Sequence, residues 1–144
     1  MAQKRYVYRT MVAWDRGVRG VCTAADRPDL PVAPPAEFGG PGDAWSPEDL
    51  LVASLNACTL ATFLHYAERA KVDLIRYESA AEGVLEFTAD GPAFTSFTVR
   101  PSVTVATGHL GAAREAMARA ERCLVSASLA GEVRLEADIA EASV

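Results

Sequence analysis

Two cysteines and one glutamate stand where this sequence could do chemistry. Cys58 lies inside an apolar run that starts at Leu50, Glu48 precedes it by ten residues, and Cys123 sits far downstream in Arg122-Cys123-Leu124-Val125-Ser126. A thiol on an apolar helix, an acid ahead of it and a distant second thiol together point to redox chemistry. A thiol attacks only as thiolate, and a cationic neighbour must stabilise that form. The helix dipole cannot serve Cys58, because its effect fades within the first turn and Cys58 lies about three turns in. A guanidinium from elsewhere is needed, and the candidates are Arg16 and Arg19, near the turn Asp15-Arg16-Gly17. Glu48 would then act as the acceptor that anchors the arginine fork.

Helix geometry constrains this arrangement. In a straight helix Glu48 and Cys58 are about 15 Å apart along the axis. They share a site only if the helix bends, or if two antiparallel copies bring Glu48 of one subunit to Cys58 of the other. Cys123 is expected at the end of a second helix, where the dipole disfavours a thiolate. It should stay protonated, which suits a resolving thiol. Each residue also has a plainer reading. Cys58 and Cys123 resemble inert core thiols, Glu48 a helix N-terminal acid, Arg16 and Arg19 solvated turn residues. Cys22, His65 and His109 read as structural.

Secondary structure must position these groups. Residues 5–14 read as a strand and Val18–Thr23 as its return. Residues 26–45 hold five of the eight prolines and form an ordered loop, with room for one short strand. Ser46 is a good N-cap, Pro47 suits the first helical position, and Glu48 and Asp49 complement the dipole. The helix is expected over 47–71. Leu50, Leu51, Val52, Leu55, Leu60, Phe63 and Leu64 make it apolar on nearly every side, so it must be buried. Two strands follow. One places Tyr77, Ser79, Ala81, Gly83, Leu85 and Phe87 on one face. The other does so with Phe97, Val99, Val103 and Val105, and its Pro101 indicates an edge or a bulge. A second helix spans about His109–Cys123. A final strand alternates through Val133, Leu135, Ala137 and Ile139.

This β-β-(β)-α-β-β-α-β order predicts an α+β fold with antiparallel sheet, as a single domain over 1–144. One sheet cannot cover so apolar a first helix, and a second copy across a two-fold axis gives a homodimer. With 50% hydrophobic and 23% charged residues the composition is that of an ordinary globular protein, and a net charge of -5 argues against nucleic acid or an anionic membrane as partner. The N-terminus has no apolar h-region and no stretch is read as a membrane span. Three cysteines without an export signal then indicate a reducing cytoplasm. No C-x-x-C, Walker A or dinucleotide fingerprint occurs, so neither a metal nor a cofactor is expected.

Taken together, Gly39-Gly40-Pro41-Gly42, Ser46-Pro47-Glu48-Asp49-Leu50-Leu51, Ala57-Cys58 and Cys123-Leu124-Val125-Ser126 resemble the OsmC/Ohr family of osmotically inducible and organic-hydroperoxide-resistance proteins. The likeness in element order covers nearly the whole chain. It implies an interlocked homodimer, with curved sheets wrapped around central helices and two active sites at the subunit interface. It also implies Cys58 as peroxidatic cysteine, Cys123 as resolving cysteine, Glu48 as the acid and Arg16, or else Arg19, as the arginine. Two features depart from many members: Leu124 replaces a proline after the second cysteine, and Thr59 replaces an aromatic residue after the first. The expected function is reduction of organic hydroperoxides in an oxidative stress response. The electron donor would be a dithiol, either a small molecule or a lipoylated or thioredoxin-like protein. The rival readings are a small-molecule-binding dimer of the same fold with an inert core cysteine, and a purely structural thiol pair.

Overall fold

The computed structural model describes residues 3–143. The chain forms two compact units, Met1–Leu50 and Leu51–Val144.

The first unit carries a three-stranded antiparallel sheet in the order β1 (Met11–Arg16), β2 (Arg19–Thr23) and β3 (Leu30–Val32). The first strand lies further along the chain than its residue types predict: Arg5–Thr10 are outside it, and Asp15 and Arg16 are inside. A register shift between Trp14 and Arg16 accounts for the difference. There the Trp14 indole N–H donates to Gly17 O at 3.0 Å and the turn moves to Gly17-Val18.

The glycine-proline segment then leads into the first helix. A Cβ on Gly40 would fall 1.6 Å from the Pro34 carbonyl oxygen, so this close approach admits only glycine. Ser46 caps the helix as expected: its hydroxyl accepts the Asp49 N–H at 3.0 Å, and the Asp49 carboxylate accepts the Ser46 N–H at 3.0 Å. This reciprocal pair satisfies two otherwise orphaned donors. Helix α1 runs over Pro47–Arg69. It stops two residues early because Lys71 takes a left-handed φ of 56°, and Val72 N–H donates back to Ala67 O at 2.9 Å.

The second unit is built on a long antiparallel hairpin, β4 (Leu74–Thr88) and β5 (Gly91–Val105). Helix α2 (Leu110–Ala120) crosses over to β6 (Glu132–Leu135) and β7 (Asp138–Glu141), both parallel to β5. The parallel pairing departs from the expected all-antiparallel sheet. It follows from α2, since a parallel neighbour needs a long crossover connection, usually a helix. The predicted last strand is split at Glu136-Ala137, and Pro101 explains why. β5 pairs with β6 through Ser96–Val99 and with β7 through Ser102–Val105. Pro101, which has no N–H to donate, occupies the break between those two ladders. It therefore sits in a central strand rather than at an edge.

Two apolar clusters form the core. One joins Phe63 and Ala67 of α1, Val103 and Val105 of β5, and Ala113, Ala116, Met117 and Ala120 of α2. The other joins Leu55, Phe97, Val99 and Cys123. Gly83 lets α1 approach the sheet, because a Cβ there would lie 2.9 Å from the Phe94 ring and 3.0 Å from a Val52 methyl. Only one stripe of α1 is fully buried, Leu55, Thr59, Phe63 and Ala67. By length and composition α1 could cross a membrane, which corrects the expectation that no segment reaches that threshold. Its buried stripe faces the protein core, and the Asn56 amide donates to Ser79 O of β4 at 3.0 Å.

Candidate active site

Cys58 rides on α1, three residues beyond Leu55 and partly buried. Its backbone carbonyl accepts the Thr62 hydroxyl at 2.8 Å. Cys123 reaches the same place from a different element. Helix α2 ends at Ala120, so Cys123 lies beyond it, in a turn that passes through Leu124 and Val125 into a single 3-10 turn at Ser126–Ser128. The Ser126 N–H donates to Cys123 Sγ at 3.4 Å, while the Ser126 hydroxyl donates to Cys123 O at 2.9 Å. Both thiols are free, and both belong to the Leu55–Phe97–Val99 cluster, Cys123 within it and Cys58 packed against it.

The two sulfurs feel opposite fields. Burial pushes the Cys58 thiol above its ordinary value; the Val125 backbone N–H opposes this, and the neighbouring Cys123 adds to it. Burial also works to raise Cys123. There it is outweighed by the Ser126 backbone N–H and hydroxyl, the Cys58 thiol and the Val125 N–H, and the Cys123 thiol falls below its ordinary value. The expectation that Cys123 stands at a helix end is corrected, since α2 closes at Ala120. The helix has already stopped, and the carbonyl dipoles of its last turn are replaced around the sulfur by amide N–H groups of the following turn. Sequence reasoning passed over Val125 and Ser126. The available signal was the Ser126-Ala127-Ser128 run, which favours a turn that aims backbone donors back at preceding residues.

The charged candidates belong to the first unit. Arg16 and Arg19 face each other across the β1–β2 hairpin. The Arg19 guanidinium is held by Asp43 at 2.8 and 3.1 Å. The acid that anchors Arg19 is therefore Asp43, which directly follows the Gly39-Gly40-Pro41-Gly42 motif. Arg16 is exposed and, among the described residues, has no ion pair. One carboxylate oxygen of Glu48, Oε2, is shielded from solvent with no hydrogen-bond partner. Along an uninterrupted α1, Glu48 and Cys58 stay about 15 Å apart. Beside Arg19 lies an apolar recess of about 370 Å³, lined among others by Val12, Trp14, Val18, Val32 and Pro47. Among the described residues no group of three His, Cys, Asp or Glu side chains could hold a metal ion.

Cys22 pairs with Val12 and Leu30 in the first sheet. His109 precedes α2, and its Nδ1 accepts the Asp73 N–H at 3.2 Å. His65 stacks edge-on against Tyr66. His65, expected in the interior or at an interface, is exposed in the single chain.

Comparison with known proteins follows this geometry. Residues 40–138 match the family model for OsmC-like proteins. That span takes in Glu48, Cys58 and Cys123 but not Arg16 or Arg19. The uncharacterized protein YmaD of Bacillus subtilis is 25% identical over 107 residues, 71% of each chain. An OsmC-like protein of unknown function from Vibrio cholerae superposes with a TM-score of 0.84 at 19% identity, covering 93% of this chain and 100% of that one. The organic hydroperoxide resistance protein OsmC of Legionella pneumophila does so with a TM-score of 0.69 at 25% identity, covering 96% and 100%. The family-model match over residues 40–138, with the capped apolar helix that bears the first thiol and the turn that bears the second inside it, carries one conclusion: the chain belongs to the OsmC-like protein family.

Proposed function

We propose that this protein is a cysteine-based peroxidase that reduces organic hydroperoxides with a dithiol as electron donor, working as a cytoplasmic homodimer. The observation that carries the reading is the thiol pair. Two cysteines distant in sequence, both free, come together in one apolar cluster. Cys58 is the more open of the two and takes the attacking role. Its thiolate attacks the distal peroxide oxygen, the O–O bond breaks, and the alkoxide leaves as alcohol after taking a proton. The sulfenic acid on Cys58 condenses with Cys123 to give a disulfide and one water. A dithiol returns both cysteines to thiols and is itself oxidised to a disulfide. Arg16 and Glu48 are proposed to complete the site, the first as cation and the second as its anchor. The shielded, unpartnered Glu48 oxygen is a place for a guanidinium to bind.

The homodimer reading is supported by apolar surface that one chain leaves open. Trp14 is 77% exposed and Met11 75%, every residue of β1 is exposed, and α1 buries a single stripe. The apolar recess beside Arg19 favours substrates with an alkyl or aryl part over hydrogen peroxide. One observation favours the rival reading of a binding dimer with an inert cysteine: burial in the single chain pushes the Cys58 thiol above its ordinary value.

Following the loss of cumene hydroperoxide in the presence of dithiothreitol decides between them. Catalytic consumption that disappears in Cys58→Ser supports the peroxidase. Absence of consumption by the wild-type chain contradicts it.

A further inference from the structure

The two sulfurs of the pair are not equivalent, and the difference bears on how their disulfide would be opened. Cys123 is 2% exposed and enclosed by Leu55, Phe97 and Val99, whereas Cys58 is only partly buried. The Ser126 N–H already points at Cys123 Sγ at 3.4 Å. Opening a disulfide requires a thiolate to approach one sulfur while the other departs as thiolate. The attacked sulfur must be reachable, and departure is faster from the sulfur better able to hold negative charge. Both requirements select the same direction here.

We infer that an incoming thiol attacks Cys58 Sγ, and that Cys123 is the leaving group, received as thiolate by the backbone N–H of Ser126. This rests on the proposed disulfide chemistry and adds to it the route of reduction. A dithiol thiolate forms a new S–S bond to Cys58 as the Cys58–Cys123 bond breaks, and the electron pair of that bond goes to Cys123. The second thiol of the reductant, once deprotonated, then attacks its own sulfur in the mixed disulfide and expels Cys58 as thiolate. The two protons of the dithiol end on Cys58 and Cys123, and the reductant leaves as a cyclic disulfide. Ser126 thereby becomes a positioning residue of the reductive half-reaction. The lowered proton affinity of Cys123 agrees with this assignment.

The test needs no peroxide. The wild-type protein is oxidised with diamide, exposed briefly to glutathione as a monothiol probe, quenched in acid and mapped by mass spectrometry. The expected result is a glutathione adduct on Cys58, in about tenfold excess over Cys123. An adduct mainly on Cys123, or equal amounts on both, overturns the inference. Failure of diamide to form the Cys58–Cys123 bridge overturns it as well. Because the bridge is made without hydroperoxide, an adduct on Cys58 in a protein that consumes no peroxide would support the leaving-group assignment and refute only the peroxidase.

Discussion

The two units of this chain differ in how far each provides for itself. The second unit has both apolar clusters, and each draws on α1, β5 and either α2 or the turn after it. The first unit, among the described residues, fully buries only Ala33 and Ser46 and leaves all of β1 in solvent. The sulfur pair belongs to the self-sufficient unit, and the charged residues meant to activate it belong to the other. Placement of the thiols is therefore a matter of core packing. Placement of Arg16 depends on whatever covers the open β1 strand, on which Trp14 and Met11 stand exposed. A second copy of the chain is the occupant we propose.

This contrast can be broken by mutation. The largest expected effect is on the second unit. Phe63→Ala, at a fully buried position, should cost about 3–5 kcal/mol of unfolding free energy in urea titrations. Trp14→Ala in the first unit should cost under about 0.5 kcal/mol if the sheet stays in solvent. In a homodimer that covers it, the same change should shift the monomer–dimer equilibrium toward monomer in sedimentation. A dimer unaffected by Trp14→Ala would remove β1 from the interface.

Activation of the thiol comes next in size. Arg16→Ala should slow peroxide consumption at neutral pH by roughly 10- to 100-fold, the loss expected when a thiolate loses its cation. Glu48→Gln should slow it less, because the cation persists without its anchor. If Arg16→Ala is silent and Arg19→Ala is not, the role passes to Arg19 and its partner Asp43.

The smallest effect is on the thiols themselves, and its sign is fixed. Cys123 helps to raise Cys58, so Cys123→Ser should lower the pKa of Cys58 and shift the pH profile of its alkylation toward acid. Cys58 helps to lower Cys123, so Cys58→Ser should move the Cys123 profile toward alkaline pH. Shifts in the opposite directions would mean that the two sulfurs do not interact as the geometry requires.

Much of this was legible in the sequence where a local rule decides the outcome. The Ser46 cap, the Pro47 start and the inward alternation of Phe97, Val99, Val103 and Val105 follow from hydrogen-bond valence and strand period. Family membership was legible from the motifs around Cys58 and Cys123. What escaped depends on long-range partners. Pro101 indicates an edge or a bulge by itself, because nothing local shows that two successive strands meet β5 on either side of it. Phe87 shares a strand face with Tyr77, Ala81 and Leu85 by alternation, yet it is 77% exposed near the hairpin tip, where it pairs with Pro92. The field around Cys123 escaped because two residues separate it from the end of α2, and its sulfur faces the Ser126 amide of the following turn instead of the helix carbonyls. Asp43 as the partner of Arg19 could not be found by spacing, since the ion pair closes across a loop.

The central claim is a reversible bridge made by peroxide between the two thiols of the second unit. It is tested most directly by treating the reduced protein with one equivalent of cumene hydroperoxide and mapping its disulfides by mass spectrometry, before and after addition of dithiothreitol. The account predicts an intrasubunit Cys58–Cys123 bridge that the dithiol removes, with Cys22 left as thiol. A bridge that includes Cys22, or no bridge at all, would contradict it.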